Sequence, residues 1–500
     1  MNRSVFGARN NLWWHRLDLP LALIILAAAF LRFANLAYSE FQGDEVKALY
    51  PAGAAFPDFL FSQKKGPVQF LLTLLVRLAT GGYEEWVTRV PFALASTAAV
   101  LVIFYVARDH WGRPVALLGA ALVGTSGLLT AFGRIVQYQS FCLLFVALTA
   151  WLLFKALRAD SPKLIYMAFL CYALGLLTHY DALTFAPTLA LLVAARCWRY
   201  RDPLHRRIKH VTFASLIALS IAGLFYLPYT QQPNFTGVRT YLIERVSSGR
   251  GLDTLGQVYE LLRLYFPPFY LLFTVPFLLL GILILIWRRR DVPSIALVFW
   301  FASVFSFYMF LGGDPRSHVY NYFAPGLLLA AYGMWALVEF ARSSWLRIYL
   351  RTAIWLAVGV FACLVYYMLV DHAIEHPWYR KTVLGYPLPN LEQRDIAGVF
   401  GFPYQRGLKE VGALFDSGQL RGTFDSNERD VMAEYYFHSA RYRRPDYYIY
   451  VHRPLSLDRE LPFFVSTTYR LVREISVHGR RTIGIYEISS RARGDLHAAR

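Results

Sequence analysis

Long apolar blocks separated by short polar connectors run through the chain as far as residue 370. A helix crosses a bilayer with about 20 mostly apolar residues. Eleven blocks approach that length: residues 19–37, 86–107, 114–132, 140–157, 164–179, 181–196, 211–229, 266–287, 293–311, 321–340 and 351–370. The first is too long for the apolar core of a secretory leader and lacks a small-residue cleavage site. One further run, 66–80, is too short to span and contains Arg77, which predicts a helix lying at the membrane surface. Beyond Asp371 the pattern changes, with more Pro, Gly and charge and no long helical run. There, residues 446–451, 469–477 and 482–488 alternate as strands do, the last two joined through 478–481 as a hairpin. The pattern predicts a polytopic α-helical membrane domain over residues 1–370 and a small α/β domain over 371–500.

Charge orients these blocks. The chain carries a formal net charge of +18, which taken alone suggests nucleic acid, but the basic residues are not spread as a nucleic-acid surface would need. Arg3, Arg9 and Arg16; Arg108 and Arg113; Lys155, Arg158 and Lys163; Arg196, Arg199, Arg201, Arg206, Arg207 and Lys209; Arg288–Arg290; and Arg342, Arg347 and Arg351 fall on alternate connectors. The intervening loops, longer in total, carry fewer. This is the positive-inside pattern, with anionic lipid headgroups as partners and no role for nucleic acid. It places the N-terminus in the cytoplasm and, after eleven crossings of a plasma (inner) membrane, residues 371–500 outside the cell. Cys142, Cys171, Cys197 and Cys363 all lie in or beside apolar blocks, so no disulfide is expected to staple the outer domain.

With orientation set, the ionisable residues sort by depth. Arg32, Asp44, Glu45, Lys64, Lys65, Arg89, Arg134, His179, Asp181, Asp314, Arg316 and His318 all map to the outer ends of spans or to outer loops, leaving the midplane nearly uncharged. A proton-driven transporter is expected to hold ionisable groups at the midplane. The pattern instead predicts a site at the outer interface. Asp44 and Glu45 are candidate catalytic carboxylates. Lys64, Lys65, Arg134, Arg316 and His318 are candidate ligands for a phosphate headgroup, since Lys and Arg are the usual phosphate ligands. Arg89, His179 and Asp181 are possible supports. No Cys, His and carboxylate spacing marks a tight metal site, so a metal is expected not to be essential.

The segment Leu31-Arg-Phe-Ala-Asn-Leu-Ala-Tyr-Ser-Glu-Phe-Gln-Gly-Asp44-Glu45 resembles the first-helix and first-loop signature of GT-C glycosyltransferases, specifically family 39. That family includes the protein O-mannosyltransferases and the bacterial aminoarabinose transferase of lipid A. Lys65-Gly66-Pro67, Arg89-Val90-Pro91, the run from Gly133-Arg134, and Arg316-Ser317-His318 with the residues up to Pro325 look like later landmarks, so the resemblance covers about residues 20–340. It implies a GT-C fold of about eleven transmembrane helices with interfacial helices in the first outer loop. It also implies transfer of a sugar, with inversion, from a polyprenyl-phosphate carrier to a lipid, glycan or protein acceptor at the outer face, with no cofactor beyond the lipid-linked donor. Asp44 then matches the family's loop aspartate, as base or as site organiser, with Glu45 its acidic neighbour and Lys65 at the carrier phosphate. Two departures stand out: Lys-Gly-Pro replaces a His or Lys before two prolines, and Gln137 or Gln139 replaces an aspartate after the loop arginine. A transporter or flippase of a lipid-linked sugar is the alternative reading, and a scaffold with a glycan-binding outer domain a third.

Overall fold

A computed structural model describes residues 18–489 except 52, 54, 160, 200–202, 234, 247–250, 267, 290, 313–315, 372–381, 384–385, 388–398 and 456–459. All eleven apolar blocks form helices. Among the described residues, eight helices are long and apolar enough to span a bilayer, from Glu85–Trp111 to Ser344–Val370. The pair Arg113–Gly124 and Gly127–Gly133, bent by 62° at its break, is apolar enough to make a ninth if it forms one broken span. Leu19–Phe33 and Pro162–Thr178 are apolar but shorter, and Val68–Thr80 is the short helix expected in the first loop. The protein is a multi-span helical membrane protein.

Two buried arginines close the helix ends that this arrangement leaves open. Leu19–Phe33 starts on Asp18, whose side chain accepts from the Leu21 N–H, and stops where Ala34 turns extended and Asn35 takes a positive φ of 51°. Its last carbonyls have no partner within the helix. Arg134 donates to the carbonyls of Leu31, Ala34 and Asn35 at 2.9, 2.6 and 3.0 Å. In return, Arg32 donates to the Gly124 carbonyl at the 62° break and to Ser96 Oγ, both at 2.8 Å.

The loop after the first helix is held by a third buried arginine. Arg89 and Glu45 are both fully buried and pair through two bonds, of 2.9 and 2.8 Å. Arg89 Nη1 also donates to the carbonyls of Leu36 and Ser39. Glu45 accepts in addition from the backbone N–H of Val136, in the connector that follows Gly127–Gly133, and of Gln42. One ion pair thereby ties residues 36–45 to two other parts of the bundle. Asp44, beside Glu45 in the one-turn helix Gly43–Val46, stays partly exposed.

The C-terminal region forms a four-stranded sheet of β1 (Phe424–Ser426), β2 (Tyr447–Val451), β3 (Tyr469–Val477) and β4 (Arg480–Ile488). The order is β1-β2-β4-β3, with β1 parallel to β2 and the other pairs antiparallel. The β3–β4 hairpin turns through His478 and Gly479, at φ 50° and 74°, as two-residue turns with positive φ at both positions do. Two turn residues suffice, so β4 starts at Arg480, earlier than the expected 482.

This region is locked onto the first loop. Glu40 is buried and accepts from the backbone N–H groups of Arg406 and Leu408, at 2.9 and 2.5 Å. Tyr436 accepts from the Phe41 N–H and donates to Glu85, which also pairs with Lys409 at 2.5 Å. Burial pushes the Glu40 carboxyl up to about 7, against an ordinary 4.5, despite the two N–H donors. Because the folded value is the higher one, Glu40 favours the docked state fully below pH 4.5, and that contribution is lost as pH rises through 7.

Two outcomes are expected. In thermal melts of the purified protein, stability should fall between about pH 4.5 and 7, the interval between the ordinary and the shifted carboxyl, and Glu40→Gln should flatten that fall; an unchanged slope would contradict the Glu40 assignment. Glu45→Ala should cost about 3–5 kcal/mol, since it strands a buried guanidinium, and Glu45→Gln, which keeps an acceptor for Arg89, should lose less in the same melt.

Candidate active site

Asp44 opens into a cavity of about 400 Å³ at one end of the helix bundle. Residues from five separate chain segments form its wall. Lys47 comes from the Asp44 loop, and Lys64, Lys65 and Gln69 from the start of Val68–Thr80 and the turn before it. Gln137 and Tyr138 come from the connector after Gly127–Gly133, His179 and Tyr180 from the turn after Pro162–Thr178, and Ser317 and His318 from the turn before Tyr320–Phe340.

Local physics explains each placement. Lys65 sits before Gly66, where a Cβ would lie 2.1 Å from the Leu177 carbonyl oxygen; only glycine lets the turn pack against that helix end. The Lys65 ammonium lies 5.0 Å from the Tyr138 ring centre. Tyr138 in turn stacks on His179 at 3.7 Å, nearly parallel at 9°. Behind this layer, Asp181 is buried and accepts from His318 at 2.6 Å and from Tyr320 at 3.1 Å, with His179 3.1 Å from its other oxygen. The carboxylate thus fixes two imidazoles that face the cavity.

The electrostatics centre on Asp44. Burial opposes its charge, but Lys65, Lys47 and Arg429 outweigh that and hold the carboxyl below its ordinary value. Asp44 is therefore an anion at neutral pH, facing a wall that carries Lys64 and Lys65.

Of the residues expected at a site, Asp44, Lys64, Lys65, His179 and His318 come together around this cavity, with Asp181 directly behind it. Arg134, expected at a phosphate, is instead fully buried and spends its guanidinium on backbone carbonyls of residues 31–35. Glu45, expected beside Asp44 in the chemistry, turns inward to Arg89, and neither lines the cavity. Arg316 begins a single 3-10 turn, Arg316–His318, and its side chain lies outside the described residues. Asp314 also lies outside them.

His179, Asp181 and His318 each offer one donor atom within 4.8 Å of the others, a spacing a metal ion could occupy. His318 Nδ1 is already bonded to the Asp181 carboxylate, and His179 Nδ1 accepts from the Asp181 backbone N–H. Nothing in the sequence brings residues 179 and 318 together, so this cluster was not legible before the fold. Gln69, Gln137 and Tyr138 also escape sequence reasoning, because uncharged polar residues at span ends carry no signal of depth.

Residues 64–226 match the profile of a family described as dolichyl-phosphate-mannose-protein mannosyltransferase. A stretch of 173 residues is 27% identical to the protein named "Putative mannosyltransferase YkcB" of Bacillus subtilis (strain 168); it covers 32% of this chain and 23% of that protein. The chain therefore spans only a minor part of the curated relative it matches. Among solved structures, ArnT from Cupriavidus metallidurans in the apo state superposes with a TM-score of 0.54 at 13% identity, over 93% of this chain and 97% of that one. ArnT bound to undecaprenyl phosphate gives the same TM-score at 11% identity and the same coverage. The chain as a whole thus shares the fold seen in ArnT, and its residues 64–226 are similar to a family of membrane mannosyltransferases.

Proposed function

We propose that this protein transfers a sugar from a polyprenyl-phosphate-linked donor to an acceptor hydroxyl at the outer face of the plasma membrane, with inversion at the anomeric carbon. The observation that carries the reading is the presence of one anionic carboxylate, Asp44, together with Lys64 and Lys65 in the lining of a single cavity at the end of the bundle. A family named for dolichyl-phosphate mannose supports the donor class, and an ArnT structure holding undecaprenyl phosphate supports a carrier lipid on this fold.

In this reading the acceptor oxygen attacks the anomeric carbon as the bond from that carbon to the phosphate oxygen breaks. The attacking oxygen gains positive charge and loses its proton, and the carrier phosphate leaves with the bonding pair. Asp44 faces the first event. Its depressed pKa makes it a weak proton acceptor but a persistent anion, suited to holding the acceptor hydroxyl and relieving its charge as the bond forms. Lys65 and Lys64 face the second, as fixed cations for the departing phosphate. They supply the positive charge that a metal would otherwise bring, so the reaction is proposed to run without one. A single carboxylate facing the leaving group's cations favours direct displacement, hence inversion. The basic clusters on alternate connectors support an outer location for this end of the bundle, with a cytoplasmic N-terminus.

Asp44→Asn should keep its fold and its affinity for undecaprenyl phosphate, yet lose about 10²–10⁴-fold in sugar transfer, followed with a radiolabelled polyprenyl-phosphate sugar. Full transfer by this variant would remove Asp44 from the mechanism. Since the carboxylate persists down through its depressed pKa, wild-type transfer should hold through neutral pH and fail only on the acid side. Lys65→Ala should mainly raise the donor KM, and a KM equal to wild type would show that the carrier phosphate lies elsewhere.

A further inference from the structure

Sugar transfer from a phosphate carrier releases one proton, that of the acceptor hydroxyl. Asp44 is poorly suited to keep it, because a carboxyl held below its ordinary value is a weak proton acceptor. The same cavity is lined by two imidazoles, His179 and His318, and Asp181 sets them in different tautomers. His318 Nδ1 lies 2.6 Å from Asp181 Oδ2. A carboxylate only accepts, so this nitrogen carries the ring's proton and His318 Nε2 carries the lone pair. His179 Nδ1 accepts from the Asp181 backbone N–H at 3.1 Å, so the His179 ring is neutral with its proton on Nε2. Both Nε2 atoms keep some accessible surface, and neither has a hydrogen-bond partner among the described residues.

The two rings are therefore not equivalent. His179 offers the cavity an N–H, whereas His318 offers it a basic nitrogen. The Asp181 carboxylate behind His318 also stabilises the imidazolium that forms when Nε2 takes a proton. Tyr320 donates to the same Asp181 oxygen at 3.1 Å, and the Tyr308 ring stacks on His318 at 5.8 Å and 24°. Carboxylate and imidazole are thus both held in place. With each Nδ1 engaged in this way, the cluster is arranged as a proton site.

We infer that His318 takes the proton of the acceptor hydroxyl, with Asp181 as the positioning residue behind it and Asp44 as the fixed anion that holds the acceptor. The acceptor oxygen bonds to the anomeric carbon, and the bond from that carbon to the carrier phosphate oxygen breaks with its electron pair leaving on the phosphate. The hydroxyl proton passes to His318 Nε2, and the imidazolium then returns it to water through the cavity. The inference rests on the transfer reaction proposed above and names the group that completes its proton balance. It also moves His318 from the phosphate ligands, where the sequence placed it, to the acceptor's side of the reaction.

The test uses membrane vesicles carrying the full-length protein and radiolabelled undecaprenyl-phosphate mannose. His318→Asn keeps an amide N–H for Asp181 in the place of Nδ1 but has no Nε2. It should show the wild-type donor KM and lose about 10²–10⁴-fold in kcat. His318→Ala leaves the place of the ring open, and added imidazole should restore part of its lost turnover, as it would not for a ring that only packs. An asparagine variant with wild-type kcat, a defect confined to the donor KM, or a folded alanine variant that imidazole leaves inactive would overturn the inference. If His318→Ala does not fold, the asparagine measurement decides alone. Wild type that transfers no sugar would instead count against the donor reading itself, and the two failures are therefore distinct.

Discussion

The buried pair between Arg89 and Glu45 is the interaction on which the site depends. The first loop has no long helix of its own to hold it, and its backbone carbonyls at residues 36, 39 and 40 need donors in a place with little water. Arg89 supplies them from a neighbouring span, donating to Leu36, Ser39 and Glu40 as well as to Glu45. A lysine could hold one of these contacts but has neither the fork nor the number of fixed donors to hold them all. Because Glu45 also accepts from Val136, the same pair sets the distance between the Asp44 loop and the connector bearing Gln137 and Tyr138. The geometry of the cavity across two loops is thus referred to one charge pair that never meets solvent.

The outer domain completes this frame. Glu40, Phe41 and Glu85, all within reach of the first loop, receive Arg406, Leu408, Lys409 and Tyr436 from beyond the last span. Phe400 donates its N–H to Tyr265, and the Tyr265 ring packs on Phe402. The C-terminal region is therefore fastened to the same residues that carry Asp44, so its sheet and the Asp44 loop form one mechanical unit.

Much of the architecture was legible in the sequence because span length and basic clusters are one-dimensional signals. Eleven apolar blocks became eleven helical segments, and the short apolar run with Arg77 became a helix whose arginine bonds the Tyr50 carbonyl. What a sequence does not carry is the direction in which a charged residue points about a helix axis. Arg134 and Lys65 both sit at span ends, yet one turns into the protein to cap carbonyls and the other turns to the cavity. Asp44 and Glu45 are adjacent and therefore project to different sides of one helical turn, which separates a cavity carboxylate from a buried anchor. The His179, Asp181 and His318 cluster depends on packing between distant segments, and no spacing along the chain encodes it.

The absent side chain at Gly66 has a consequence for how such sites diverge. With the Leu177 carbonyl oxygen only 2.1 Å from where a Cβ would be, the turn and the end of Pro162–Thr178 touch backbone to backbone. A relative with proline at the equivalent of Gly66 cannot keep that contact; it must draw the helix end back, and with it the residue that follows, here His179. The width of the cavity between Lys65 and His179 is thus set by a backbone contact that any side chain at position 66 would force apart.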